Sequence, residues 1–171
     1  MLLSLLIWLP ISAGIFLLLS GRIFSKTLCC WIGIGFSLAT FIISLKLWKD
    51  FNRNIASIQF EERITWIQRF NIEYYLGVDG ISMPFILLTT LLTLVVLISG
   101  WSNVGAKATS YYSAFLIMEG LIIGVFSALD GILFYLFWEA VLIPMFLIIG
   151  IWGGPNRVYA SIKFFLYTLL G

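Results

Sequence analysis

The sequence predicts an all-α protein, a polytopic bundle of transmembrane helices, and three observations predict it. Hydrophobic residues make up 61% of the chain and charged residues only 11%, less than half of the ~25% charge found in soluble domains. Five apolar runs are long enough to cross a hydrocarbon layer roughly 30 Å thick, a distance that takes about 20 residues of helix. The polar segments between them are short, with one exception, and open strands cannot lie in lipid, so helices must make the crossings.

The runs fall at residues 2–20, 28–48, 81–101, 111–128 and 131–151, and a sixth begins near Tyr159. The first lacks the basic start of a secretory signal and reads as a retained span. The second carries adjacent Cys29 and Cys30, which have no cysteine partner elsewhere and read as small core residues rather than a disulfide or metal site. Spans three and five open on side-chain acceptors for first-turn N–H groups, Ser82 before Pro84 and Asp130 before Gly131. Gly150, Gly153 and Gly154 around Trp152 close the fifth span. A dozen or so residues of the sixth rise too little to cross, so the chain reads as the front of a longer unit. Residues 1–48 thus hold two helices, 49–80 an extramembrane loop, and 81–171 helices three to five with the start of six.

In the long loop, Ile58, Phe60, Ile64 and Trp66, then Phe70, Ile72, Tyr74 and Leu76, alternate with mostly polar neighbours. Such a period of two predicts a short β-like hairpin between helices two and three. It belongs in the interfacial zone, with Trp66, Tyr74 and Tyr75 near the headgroups, as a docking surface or lid.

Net charge is +2 and histidine is absent. Nothing here points to a nucleic-acid partner, and without imidazole any proton chemistry falls to carboxylates and lysines. Arg22, Lys26, Lys107 and Arg157 all fall on the side opposite the N-terminus, whereas the turn before Gly131 holds only Asp130. Basic short loops favour the cytoplasm, so the N-terminus is expected on the outer side, against which the long loop sets basic residues of its own, balanced by acidic ones. No nucleotide-binding fingerprint, nucleophile elbow or metal motif occurs, so redox and hydrolytic chemistry are not expected of this chain, and no metal or cofactor site is assigned to it.

Glu139 is the most informative residue, the single charge of the run 131–151. A carboxylate near the bilayer centre costs roughly 2.5–3.5 kcal/mol on insertion scales, and such groups mark ion and proton pathways. Glu119 interrupts the fourth span. The tight turn at Asp130 puts both acids roughly 12–14 Å from one membrane face; if they meet, repulsion and desolvation favour one shared proton. Pro144 lacks an N–H and should free the Ala140 carbonyl beside this acid, with a kink. Lys163, one turn into helix six, is a third candidate for proton translocation, offset in depth from Glu139 by roughly 12 Å. Packing is the alternative for all of them: hydrogen-bonded glue for the acids, a tolerated kink for the proline, and snorkelling for the lysine.

Several stretches together carry a family resemblance: GVDGIS at 77–82, GVFSALD at 124–130, LFYLFWEAVLIPMF at 133–146, IGIWGG at 149–154 and YASIKFFLYTLLG at 159–171. From helix three on, the chain resembles the antiporter-like membrane subunits of proton-pumping NADH–quinone oxidoreductase (respiratory complex I), of the chain M or subunit 4 type. That resemblance implies fourteen helices with two inverted five-helix repeats, in which Glu139 matches a helix-five glutamate paired with a lysine beyond Gly171. It also implies that NADH, FMN, iron–sulfur clusters and quinone are bound by partner subunits and none by this chain. The partners it implies are other membrane subunits of complex I, the lipid bilayer and protons. The location it implies is a bacterial inner membrane, or alternatively the mitochondrial inner membrane. Two other functions remain open on the residues: a subunit of a cation/proton antiporter, and a membrane scaffold with no translocating role.

Overall fold

A computed structural model describes residues 1–20, 24–55, 57–105 and 107–170. Arg22, used above in the charge asymmetry, and Gly171 lie outside the described residues. The order is α1 (Leu2–Ser20), α2 (Lys26–Asp50), β1 (Gln59–Ile67), β2 (Ile72–Val78), α3 (Ser82–Asn103), α4 (Ala108–Ser127), α5 (Gly131–Trp152) and α6 (Arg157–Leu170). Helices α1 to α5 are each long and apolar enough to cross a membrane, as their sequences predict. The helical bundle and its small hairpin are the expected fold class.

Helix α4 is the axis of the bundle and packs against α1, α2, α3 and α5, while α6 lies against α5. Close approach of α1 and α4 depends on glycine. A methyl group at Gly14 would lie 2.6 Å from Ile117 Cγ1, and one at Gly120 would lie 2.6 Å from Ile11 Cγ1 and against the Ile7 carbonyl. Lipid supplies no hydrophobic drive between helices, so such small-residue contacts hold them by van der Waals packing. The Ser113 hydroxyl adds a buried hydrogen bond to the Gly14 carbonyl, at 2.7 Å.

Strands β1 and β2 pair antiparallel, from Gln59 opposite Val78 to Ile67 opposite Ile72. Phe60 has φ 56° where the register shifts between Gln59 and Glu62, the mark of a bulge. Asn71, at φ 53°, takes the left-handed turn position that asparagine tolerates. The hairpin is not a free lid. Leu76 and Val78 are buried, the Leu129 amide donates to the Tyr75 carbonyl at 2.9 Å, and Leu76 bridges Ala128. It therefore sits on the membrane face where α1, α3 and α5 begin and α2 and α4 end.

Caps agree with expectation at α5 and differ at α3. Asp130 Oδ1 accepts the Ile132 and Leu133 amides at 2.9 and 3.0 Å. At α3 the acceptor is Asp79 rather than Ser82, taking the Ile81 and Ser82 amides at 3.1 and 2.7 Å, while Ser82 Oγ accepts the Asp79 amide at 3.0 Å. The pairing is reciprocal, like a capping box, because the turn at Gly80 folds the acid back over the first turn. The Ser82 amide is the main reason that the Asp79 carboxyl is held below its ordinary pKa.

Candidate functional site

The buried face of α2 is rich in small and hydroxyl-bearing residues, as membrane helix interfaces commonly are. Going along it, Gly33, Ser37, Thr40, Ser44 and Leu47 point inward, a spacing that keeps them on one stripe. Facing them on α3 are the buried Thr90 and Thr93, and Ser44 Oγ meets Thr90 Oγ1 at 2.9 Å. Each helix changes from apolar to polar at the same level. One apolar cluster, at the hairpin end, contains Leu47, Ile86 and Ile123; the other contains Cys30, Leu97 and Leu116. The hydroxyls lie between them.

Glu119 enters this belt from α4. It is fully buried, and neither carboxyl oxygen has a hydrogen-bond partner among the described residues; nor does the Ser37 hydroxyl. Ser37 is nevertheless the side chain that faces the Glu119 carboxyl. Unpaired buried polar atoms are rare in native proteins, since each costs about 1–3 kcal/mol, and a group of them calls for an explanation in water, ions or function.

Glu139 lies elsewhere. Phe137 fills the space over Gly124, where an added methyl would come within 2.7 Å of its ring, so the α5 face that meets α4 is that of Leu133 and Phe137. Two residues on, Glu139 is about 200° round the helix. It shares its side with Ile132, Tyr135 and Ile143, which are 49%, 55% and 61% exposed. Tyr135, one turn earlier, is the group that approaches the Glu139 carboxylate. The shared-proton pair anticipated from equal depth is thus not formed: Glu119 points inward toward α2, and Glu139 points off the bundle.

Pro144 is inside α5 and buried, on the wall of a cavity of about 340 Å³ that Ser113 and Trp152 also line. Ala140, whose carbonyl has no amide at residue 144 to accept, lines a second apolar cleft of about 470 Å³ beneath Trp8 and Trp66. Lys163 is exposed on α6, its ammonium 5.8 Å from the Tyr159 ring and 5.7 Å from that of Tyr167. Among the described residues no ion pair links it to either acid. Cys29 and Cys30 are free and buried.

One structural acid was not legible in the loop sequence. Glu62 on β1 reaches the start of α1 and accepts the Leu3 and Ser4 amides at 2.9 and 3.2 Å, the Ser4 hydroxyl, and the Met1 ammonium at 2.7 Å. Burial by itself would raise its pKa; those hydrogen bonds outweigh it and hold the carboxyl below the ordinary value. The hydroxyl stripe did leave a signal, serine and threonine at 37, 40 and 44 in an apolar run.

A bundle of five crossings, with one acid enclosed at mid-span and another on its open side, defines a multi-pass membrane protein equipped with ionisable groups inside the bilayer. Residues 128–171 match the family described as "NADH:quinone oxidoreductase/Mrp antiporter, TM". NADH-ubiquinone oxidoreductase chain 4 of Arabidopsis thaliana is 50% identical over 82% of this chain and 28% of its own length. NADH-quinone oxidoreductase subunit M of Rhodobacter capsulatus is 47% identical over 99% of this chain and 33% of its own. In the solved structure "Respiratory complex I from Thermus thermophilus with bound NADH", one chain superposes with a TM-score of 0.80 at 27% identity, over 99% of this chain and 33% of that one. Over nearly its whole length the chain is similar to the subunit M and chain 4 proteins of NADH–quinone oxidoreductase. It spans about a third of the length of the curated relatives it matches.

Proposed function

We propose that this chain contributes to proton translocation in a complex I membrane arm, with Glu139 as the acid that changes protonation state. One observation carries the reading: an ionisable side chain at mid-span, beside Tyr135, on a helix face that the rest of the bundle leaves open. In lipid such a carboxylate is costly; against further helices bearing a positive group it is stabilised. The relatives are about three times as long, and in this reading further helices provide that cover. When the positive partner is near, Glu139 stays ionised. When the partner moves away, Glu139 takes up a proton, and each pKa unit of such a switch corresponds to about 1.4 kcal/mol. Glu119 serves as a second, enclosed proton station, and Lys163, exposed beside Tyr159 and Tyr167, as a cation available to a partner.

The hairpin face is outside in this scheme, because Lys26, Lys107 and Arg157 all lie at the opposite ends of the helices. Redox chemistry belongs to partner subunits that carry NADH, FMN, iron–sulfur clusters and quinone. With no histidine and only two cysteines, adjacent in sequence, this chain does not supply the four ligands of an iron–sulfur cluster.

Glu139→Gln in the full-length protein within assembled complex tests the proposal. Protons moved per NADH oxidised should fall to background while the complex still assembles. Unchanged stoichiometry would refute the reading, and a loss of assembly with normal turnover in the surviving complex would indicate a scaffold. A cation/proton antiporter would instead purify without NADH-oxidising subunits and exchange sodium or potassium.

A further inference from the structure

The hydroxyl belt is not used by the switch at Glu139, and it has an outlet. At the hairpin end of the α2–α3 seam is a surface cavity of about 480 Å³, lined by Trp48, Phe51, Arg53, Gly80, Met83 and Pro84. Met83, almost fully buried, forms the inner wall of this vestibule; Ile86 and Leu47 come next, both at 0% exposure. One turn deeper is the Ser44–Thr90 contact, at 2.9 Å. Thr93 and Thr40 follow, then Ser37 facing Glu119.

We propose that this seam is a proton line between Glu119 and the hairpin face, a hydrated track of hydroxyls gated by the apolar plug of Leu47, Met83 and Ile86. It extends the translocation reading above by giving the enclosed acid its own access. Thr40 and Thr93 donate their hydroxyl protons to the Phe36 and Thr89 carbonyls of their own helices, and of Ser44 and Thr90 one donates to its own helix while the other donates across the seam. Their oxygens are thereby oriented into the seam as acceptors. A water chain laid along such acceptors passes a proton outward by handing each O–H to the next oxygen; one proton leaves the Glu119 carboxyl and one arrives in the vestibule water. The two unpaired oxygens of Glu119 and that of Ser37 are the groups this chain of water would satisfy. Lining hydroxyls with neither charge nor metal suits protons, since a sodium ion needs several fixed oxygens around one point.

Cysteine substitution tests the line independently of pumping, because a thiol reacts as thiolate and ionises only where water reaches it. In assembled complex in membrane vesicles, Ser44→Cys and Ser37→Cys should react with a small membrane-impermeant thiosulfonate from the hairpin side at least tenfold faster than Leu116→Cys in the apolar core. Equal rates would overturn the proposal. Ser44→Ala combined with Thr90→Val should lower protons moved per NADH at least twofold, whereas Thr89→Val, on the half-buried side of α3, should not. Wild-type stoichiometry in the double variant also overturns it. If Glu139→Gln alone leaves pumping intact, the switch fails while fast labelling of Ser44→Cys still upholds the hydrated line.

Discussion

The Glu62 carboxylate of β1 accepts the amide of Leu3 in α1 at 2.9 Å, across a separation of 59 residues. A helix whose first N–H groups would otherwise face the interface unpaired is thus capped by another element. That bond also fixes the hairpin on the bundle, since Tyr74 of β2 reaches Ser4 with its hydroxyl and accepts the indole N–H of Trp8, both at 3.2 Å.

Replacing this acid should free both partners. Glu62→Ala is expected to cost about 1–2 kcal/mol, the worth of a side-chain cap with a charged acceptor, and to speed amide exchange at Leu3 and Ser4 in hydrogen-exchange mass spectrometry. Because docking lowers the Glu62 pKa from 4.5, the cap is at full strength above about pH 5 and weakens as pH falls through the docked value. Protection of these amides, taken relative to their intrinsic exchange rate at each pH, should therefore fall on acidification in the native chain, and not in Glu62→Ala.

At the α1–α4 crossing the outcome is steric. Gly120→Ala places a methyl group 2.6 Å from Ile11 Cγ1 and should destabilise by about 1–3 kcal/mol, the usual cost of overpacking. Gly35→Ala, where nothing lies within 4 Å, should be neutral or slightly stabilising. Thermal inactivation of assembled complex would distinguish the two, and equal midpoints would exclude glycine-dependent packing.

For the turn between α4 and α5, Asp130→Ala removes the acceptor of two amides at 2.9 and 3.0 Å. We expect a loss of about 1 kcal/mol with the helix still inserted, and most of it restored in Asp130→Asn. Chemical denaturation in detergent measures it. Should alanine and asparagine be equally destabilising, the cap would not be the cause.

Much of this architecture is written in the order of residues. Runs of about twenty apolar side chains must become helices because lipid offers their amides no partner, and the alternation through Ile64, Trp66, Tyr74 and Leu76 can only be a strand pair at the interface. Depth along a helix follows from counting 1.5 Å per residue, and the helix bounds leave Glu119 and Glu139 each eight residues from the turn between α4 and α5. Direction around the helix was not legible. A membrane helix is apolar toward lipid and toward its neighbours alike, so hydropathy carries no azimuth, and only packing decided that Phe137 meets Gly124 and turns Glu139 outward while Glu119 points at Ser37. The hydroxyl seam and the reach of Glu62 to Leu3 likewise depend on which helices are neighbours, a choice made by close approach at glycine and by buried hydrogen bonds between distant segments.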